Sequence, residues 1–312
     1  MAASKVVSLS EAVASVPDGA NMTFGGFAAY FTPLAFVREV IRQGRRRIEM
    51  TSVAECWVAD YLAGAGVLTR ARFSNFMFEG LGRCYNFCRG VERGEIEVED
   101  YSHFAITSRL VAAGLGIPFM PIKSMAGTDL MSRRNFEADK ARPLHCPFTG
   151  EPVLLVPAVR PDVAVIHVAR SDRAGNGQLF GYTAVVEEQA RAAERVIVTA
   201  EEVVEDAVIR AQPELTVLPG FLVDAVVEVP FGLAPPEWIE DPQFDLDYHL
   251  RYVAVPAPGG MAELLDEMSP LYATAFDRER PQLVRVVAAL RVPPMHGAGH
   301  DGEHDVVVGG LQ

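Results

Sequence analysis

The chain lacks any apolar run close to the about 18 residues that a membrane-spanning helix requires, so no span is expected. Cysteine is scarce, with four in 312 residues, which is too few to frame a chain of this length with disulfides. Cys84 and Cys88 lie four apart on an expected helix and Cys146 follows His145 far away. That spacing fits no standard zinc pattern, so no metal is expected and the cysteines read as small hydrophobes. Basic residues are in deficit, 28 Lys and Arg against 41 Asp and Glu, for a net charge of −13. A nucleic-acid partner calls for a basic face, and this composition argues against one. No G-x-S-x-G elbow occurs, which argues against an α/β-hydrolase. The opening Met1-Ala2-Ala3-Ser4-Lys5 runs into no long apolar segment, so a secretory leader is not expected and the expected location is the cytoplasm.

What is present is an alternation of strand-like and helix-like segments. Ser8-Leu9-Ser10-Glu11 is a capping box that opens a short helix. Residues 21–25 read as a strand and 33–43 as an amphipathic helix, with Thr32 as N-cap and Pro33 in the first helical position. Strands are expected over Ile48–Val53, Phe73–Phe78, Ile96–Val98, 153–157, 162–169, 195–199 and Asp224–Val229. Helices are expected over Val58–Leu62, 83–92, 102–113, 183–194 and 201–211. Val163-Ala164-Val165-Ile166 is apolar throughout, as a strand buried on both faces is. The pattern predicts an α/β fold: an open, largely parallel sheet with helices on both faces. One domain is expected over residues 1–292, with a polar, lid-like excursion near 129–152 and a disordered Gly- and His-rich tail over 293–312. His296, His300 and His304 belong to that tail and read as flexible chain.

The most informative motif is Asp18-Gly19-Ala20-Asn21-Met22-Thr23-Phe24-Gly25-Gly26-Phe27, followed by Pro33. A strand that ends in two glycines and leads to a helix start presents bare backbone to a ligand or a developing oxyanion. The turn is neither G-x-G-x-x-G nor a Walker loop, so no nucleotide is indicated. A tight turn that only packs helix on strand fits the residues equally. Three further exits from strands are candidates. Glu79, ahead of Gly80-Leu81-Gly82, is a candidate nucleophile or base. Ser124, Gly127 and Thr128 follow Pro118–Ile122 and could meet the glycine turn at one sheet edge. His167 ends an apolar strand, where either a ligand or a satisfied core histidine is expected.

Asp18-Gly19, Gly25-Gly26-Phe27 and Pro33 resemble the N-terminal signature of family I CoA-transferases. That pattern has glycine two residues before the proline, where this chain has Phe31, and an apolar residue where it has Thr23. Glu99-Asp100-Tyr101-Ser102, Gly116–Pro121, Val165-Ile166-His167, Val198–Glu202, Pro219–Val227 and Pro230-Phe231-Gly232 continue the likeness, and within the family resemble the α-subunit of glutaconate CoA-transferase. The blocks keep family order over about residues 5–235. The resemblance implies a CoA-transferase-type open α/β fold and a coenzyme A thioester as substrate, with no permanently bound cofactor. It implies a heteromer, α2β2 or larger, whose β-subunit carries the catalytic glutamate in Ser-Glu-Asn-Gly, a motif absent from this chain. It further implies transfer of CoA between an acyl-CoA and a carboxylic acid, with Gly25, Gly26 and Phe27 polarising the carbonyl. Glu79 falls where the glutaconate enzyme has an active-site serine, which also admits a same-fold thioester hydrolase or ring-opening enzyme using Glu79 as base. A non-catalytic stabilising subunit is the third reading.

Overall fold

In the computed structural model the described residues are 3–78, 82–133, 135–180, 182–230 and 232–233. Glu79, the His-containing tail and the far part of the expected domain lie outside them. The strands are β1 (Asn21–Phe24), β2 (Ile48–Thr51), β3 (Ala54–Glu55), β4 (Leu68–Phe73), β5 (Asn75–Phe76), β6 (Glu97–Asp100), β7 (Phe119–Ile122), β8 (Arg142–His145), β9 (Pro152–Pro157), β10 (Val163–Asp172), β11 (Gly177–Gln178), β12 (Arg195–Val204), β13 (Thr216–Leu218) and β14 (Ala225–Glu228). The helices are α1 (Leu9–Ala14), α2 (Leu34–Arg42), α3 (Trp57–Gly64), α4 (Tyr85–Glu92), α5 (His103–Gly114), α6 (Val186–Ala192) and α7 (Asp206–Arg210).

The main sheet runs β14–β12–β10–β1–β2–β4–β6 with every pair parallel. Only the short strands β11 and β13, at the far end of β10, add antiparallel pairs to it. Strand β10 shows why the sequence folds this way. Val163 and Val165 enter one apolar cluster with α1, α2 and α3. Ala164, Ile166 and Val168 enter another with α6. A strand apolar at every position needs cover on both faces, and it has that cover. Helix α2 contributes Leu34, Phe36, Val37 and Val40, all fully buried, at about 1.5–3 kcal/mol for each side chain. Among the described residues no helix is long and apolar enough to cross a membrane.

The structure corrects three local expectations. Strand β4 spans Leu68–Phe73, and residues 73–78 hold only the two-residue β5. Leu-Thr-Arg-Ala-Arg-Phe hides its strand character because Arg70 and Arg72 sit half-buried in ion pairs with Glu49, Glu97 and Glu137. Residues 201–204 extend β12 by pairing Glu202, Val203 and Val204 with Arg170, Ser171 and Asp172, so α7 starts only at Asp206. Thr32 does not cap α2: Pro33 is the N-cap, and the Thr32 hydroxyl is buried without a partner.

Residues 129–152 include a short 3-10 turn and strand β8, which joins β7 and β9 in a separate antiparallel sheet. Buried charges hold the segment in place. Lys140, 1% exposed, lies 3.0 Å from the wholly buried Glu99, whose other oxygen accepts from the amides of Asn135, Phe136 and Glu137. Arg109 and Arg72 grip the Glu137 carboxylate.

Candidate active site

Strand β1 ends at the glycine turn, and each glycine there has a steric reason. A Cβ on Gly25 would lie 3.2 Å from the Ile166 Cα of the neighbouring strand. Gly26 has φ +104°, and a Cβ there would lie 2.3 Å from the Tyr30 carbonyl oxygen. The turn closes through Phe27 N–H to the Tyr30 carbonyl and Tyr30 N–H to the Phe27 carbonyl, both 3.0 Å. Gly25 N–H donates to Val165 at 2.8 Å. Of the three amides in Gly25-Gly26-Phe27, that of Gly26 is the one these bonds leave over.

The two positions where the chain departs from the glycine-turn pattern now have a physical account. Phe31 adopts φ +58°, the left-handed conformation that a glycine would take without strain. Thr23 is fully buried, and its Oγ1 accepts from Gln189 Nε2 of α6 at 2.9 Å.

Other strand ends converge near the turn. The ring of Phe27 lies 5.9 Å from His103 and, edge-on, 5.9 Å from Tyr182. His103 is the first residue of α5, and its Nδ1 is 2.8 Å from the hydroxyl of Ser74, just past β4. Ser102 caps α5 by accepting from Ala105 N–H, and its hydroxyl also contacts that of Ser124. So Ser124 reaches the neighbourhood of Phe27. Thr128 spends its hydroxyl on the Met125 carbonyl at 2.8 Å, and Gly127, φ +74°, turns the exposed loop between them.

Beneath the turn, Ala28 bridges to Glu55 and donates N–H to Ala54. Glu55 Oε1 accepts from the amides of Cys56 at 2.9 Å and Val58 at 3.2 Å, at the start of α3. Burial pushes its carboxyl up to about 8, and the amides of Cys56, Val58 and Trp57 pull it the other way. Glu55 is thus a protonated, enclosed acid at neutral pH rather than an exposed nucleophile. Sequence reasoning missed Glu55, Ser74, His103 and Tyr182. The signal for Glu55 was a lone carboxylate inside Val53-Ala54-Glu55-Cys56-Trp57-Val58; the others carry no local signal.

His167 is a satisfied core residue, 1% exposed, with Nδ1 3.0 Å from Thr199 Oγ1 and Nε2 2.9 Å from Glu201 Oε1. Among the described residues no group of three His, Cys, Asp or Glu side chains is placed to hold a metal ion.

A parallel α/β sheet with a backbone-lined turn at a strand's carboxyl end defines a ligand-binding α/β protein. The sequence model of the Coenzyme A transferase family matches residues 6–229, and the chain belongs to that family. It is 37% identical to the α-subunit of 3-oxoadipate CoA-transferase from Pseudomonas knackmussii, over 74% of this chain and 81% of that protein. The α-subunit of glutaconate CoA-transferase from Acidaminococcus fermentans is 33% identical, over 74% of this chain and 77% of that protein. The crystal structure of that transferase aligns with TM-score 0.71, over 74% of this chain and 78% of the other. The structure of the decarboxylase AibA/AibB aligns with TM-score 0.73 at 31% identity, over 85% and 99% of the two chains. A cholesterol ring-cleaving hydrolase IpdA subunit of Rhodococcus jostii is 28% identical, over 78% of this chain and 86% of that protein. Against a longer Archaeoglobus fulgidus protein, 38% identical, the match spans 56% of that relative's length. The wax ester synthase/diacylglycerol acyltransferase catalytic domain matches residues 176–283, about a third of the chain.

Proposed function

We propose that this chain is the α-subunit of a heteromeric acyl-CoA:carboxylate CoA-transferase, working in the cytoplasm with a β-subunit that supplies the nucleophilic glutamate. The observation that carries the reading is the glycine turn, built at the carboxyl edge of a sheet in a chain that resembles the α-subunits of two CoA-transferases over most of its length. The carboxylate beneath the turn, Glu55, is enclosed and its pKa raised by burial, so it is not the attacking group.

In this reading the partner's carboxylate attacks the thioester carbonyl, forming an acyl-glutamyl anhydride and releasing CoA thiolate. The thiolate then attacks the glutamyl carbonyl, giving a glutamyl-CoA thioester and the free acid, and a second acid reverses the sequence. Gly26 N–H is the amide available to stabilise the oxyanion. Phe27 and Tyr182 wall the acyl side, and Ser124 borders it through Ser102. Gly127 and Thr128 shape the loop beyond. The test is co-expression with the neighbouring gene's product and assay of CoA exchange between thioesters and a panel of mono- and dicarboxylic acids. Exchange supports the reading, and no exchange across the panel overturns it.

A second reading, a thioester or ring-opening hydrolase in the same fold with Glu79 as base, is favoured by the likeness to the IpdA hydrolase subunit. Net CoA release without an acceptor acid, lost in Glu79→Gln, distinguishes it.

A further inference from the structure

We propose that Ser74 and His103 form the specificity-determining grip of the acyl pocket, and that they take an oxygen function at the far end of the acyl group, a carboxylate or a ketone, in preference to an alkyl end. The inference rests on the transferase reading and names the chemistry of its acyl side. Ser74 and His103 come from different strand exits and meet at 2.8 Å on the face of the turn where Phe27 lies. Neither is enclosed: His103 is exposed and Ser74 half-buried, so both face an incoming ligand. The Ser74 contact occupies His103 Nδ1 and fixes the ring, which leaves Nε2 as the ring's second polar atom.

The pair is braced from both sides. Ser102 holds the start of α5 through Ala105 N–H and touches Ser124, so His103 is presented from a fixed helix start. The Phe27 ring, 5.9 Å from His103, separates the polar pair from the amide of Gly26. A short acyl chain laid along Phe27 with its thioester carbonyl at Gly26 carries its far end to Ser74 and His103. An alkyl end there would desolvate a hydroxyl and an imidazole without replacing their hydrogen bonds, which is unfavourable.

The test uses the assembled complex and acids of matched length ending in a carboxylate, a ketone or a methyl group. Binding of each free acid is measured by isothermal titration, and transfer to each is assayed in parallel. Wild type is expected to bind the polar-ended acids and to favour them as acceptors. Ser74→Ala and His103→Gln are expected to weaken their binding and raise their KM about ten- to hundredfold, leaving the methyl-ended acid unchanged. Both positions are solvent-accessible, and unchanged thermal melting confirms that the variants fold. Equal effects on polar and methyl ends, no effect on any acid, or no preference in wild type each overturn the proposal. A complex that shows the binding pattern yet transfers no CoA fails the transferase reading and retains the grip.

Discussion

Gln189 Nε2 donates to Thr23 Oγ1 at 2.9 Å and to the Phe24 carbonyl at 2.8 Å, tying α6 to the last two residues of β1 before the glycine turn. Both side chains are fully buried, so each depends on the other for its hydrogen bond. Gln189→Ala is expected to destabilise the protein by about 2–3 kcal/mol, because it orphans a hydroxyl and a carbonyl. Thr23→Val combined with Gln189→Leu should cost less than Gln189→Ala alone. Urea denaturation of the three variants measures this, and strict additivity would count against the coupling.

Thr32 predicts the opposite sign. Its hydroxyl is buried, 2% exposed, with no hydrogen-bond partner. Thr32→Val keeps the shape and removes the stranded polar atom, so the protein should gain about 1 kcal/mol. A loss of stability on urea denaturation would show that the hydroxyl has a partner.

Gly26→Ala should damage the turn itself. The added methyl would sit 2.3 Å from the Tyr30 carbonyl, at a φ of +104° that alanine strongly disfavours. Transfer by the assembled complex should fall by about 100-fold or more, the scale of losing one oxyanion donor. The kcat for acyl exchange reads the effect. A variant with native kcat would remove Gly26 from the mechanism.

Glu55 predicts a pH dependence of stability. Its folded pKa, about 8, lies above the unfolded value of about 4.5 because burial disfavours the charge. Its contribution is therefore complete below pH about 4.5 and is lost as pH rises through about 8. Glu55→Gln cannot ionise, so between pH 5 and pH 8 it should lose less stability than wild type, by on the order of a few kcal/mol. Parallel urea titrations across that range check this, and identical slopes would contradict it.

How far these features could be read in advance depends on whether their cause is local. The Ser8–Glu11 capping box, the strand before Gly25-Gly26 and the apolar Val163–Ile166 run all act within a few residues, and each forms as the sequence predicts. Strand β4 was hidden because Arg70 and Arg72 look solvated until their partners arrive from β2, β6 and residue 137. Thr32 satisfies the rule for an N-cap, yet the turn rotates its hydroxyl into the protein. At the site, the glycines were legible because φ and close approach constrain them directly. The Ser74–His103 pair was not, because 29 residues separate the two and only the sheet brings them together.

The central claim is that this chain shapes and polarises an acyl-CoA site while the attacking carboxylate comes from a partner. Intact-mass spectrometry of the assembled complex, incubated with an acyl-CoA and no acceptor acid, tests it most directly. The account predicts a CoA thioester adduct on a glutamate of the partner and none on this chain. An adduct on this chain, or CoA release with neither chain modified, would contradict it.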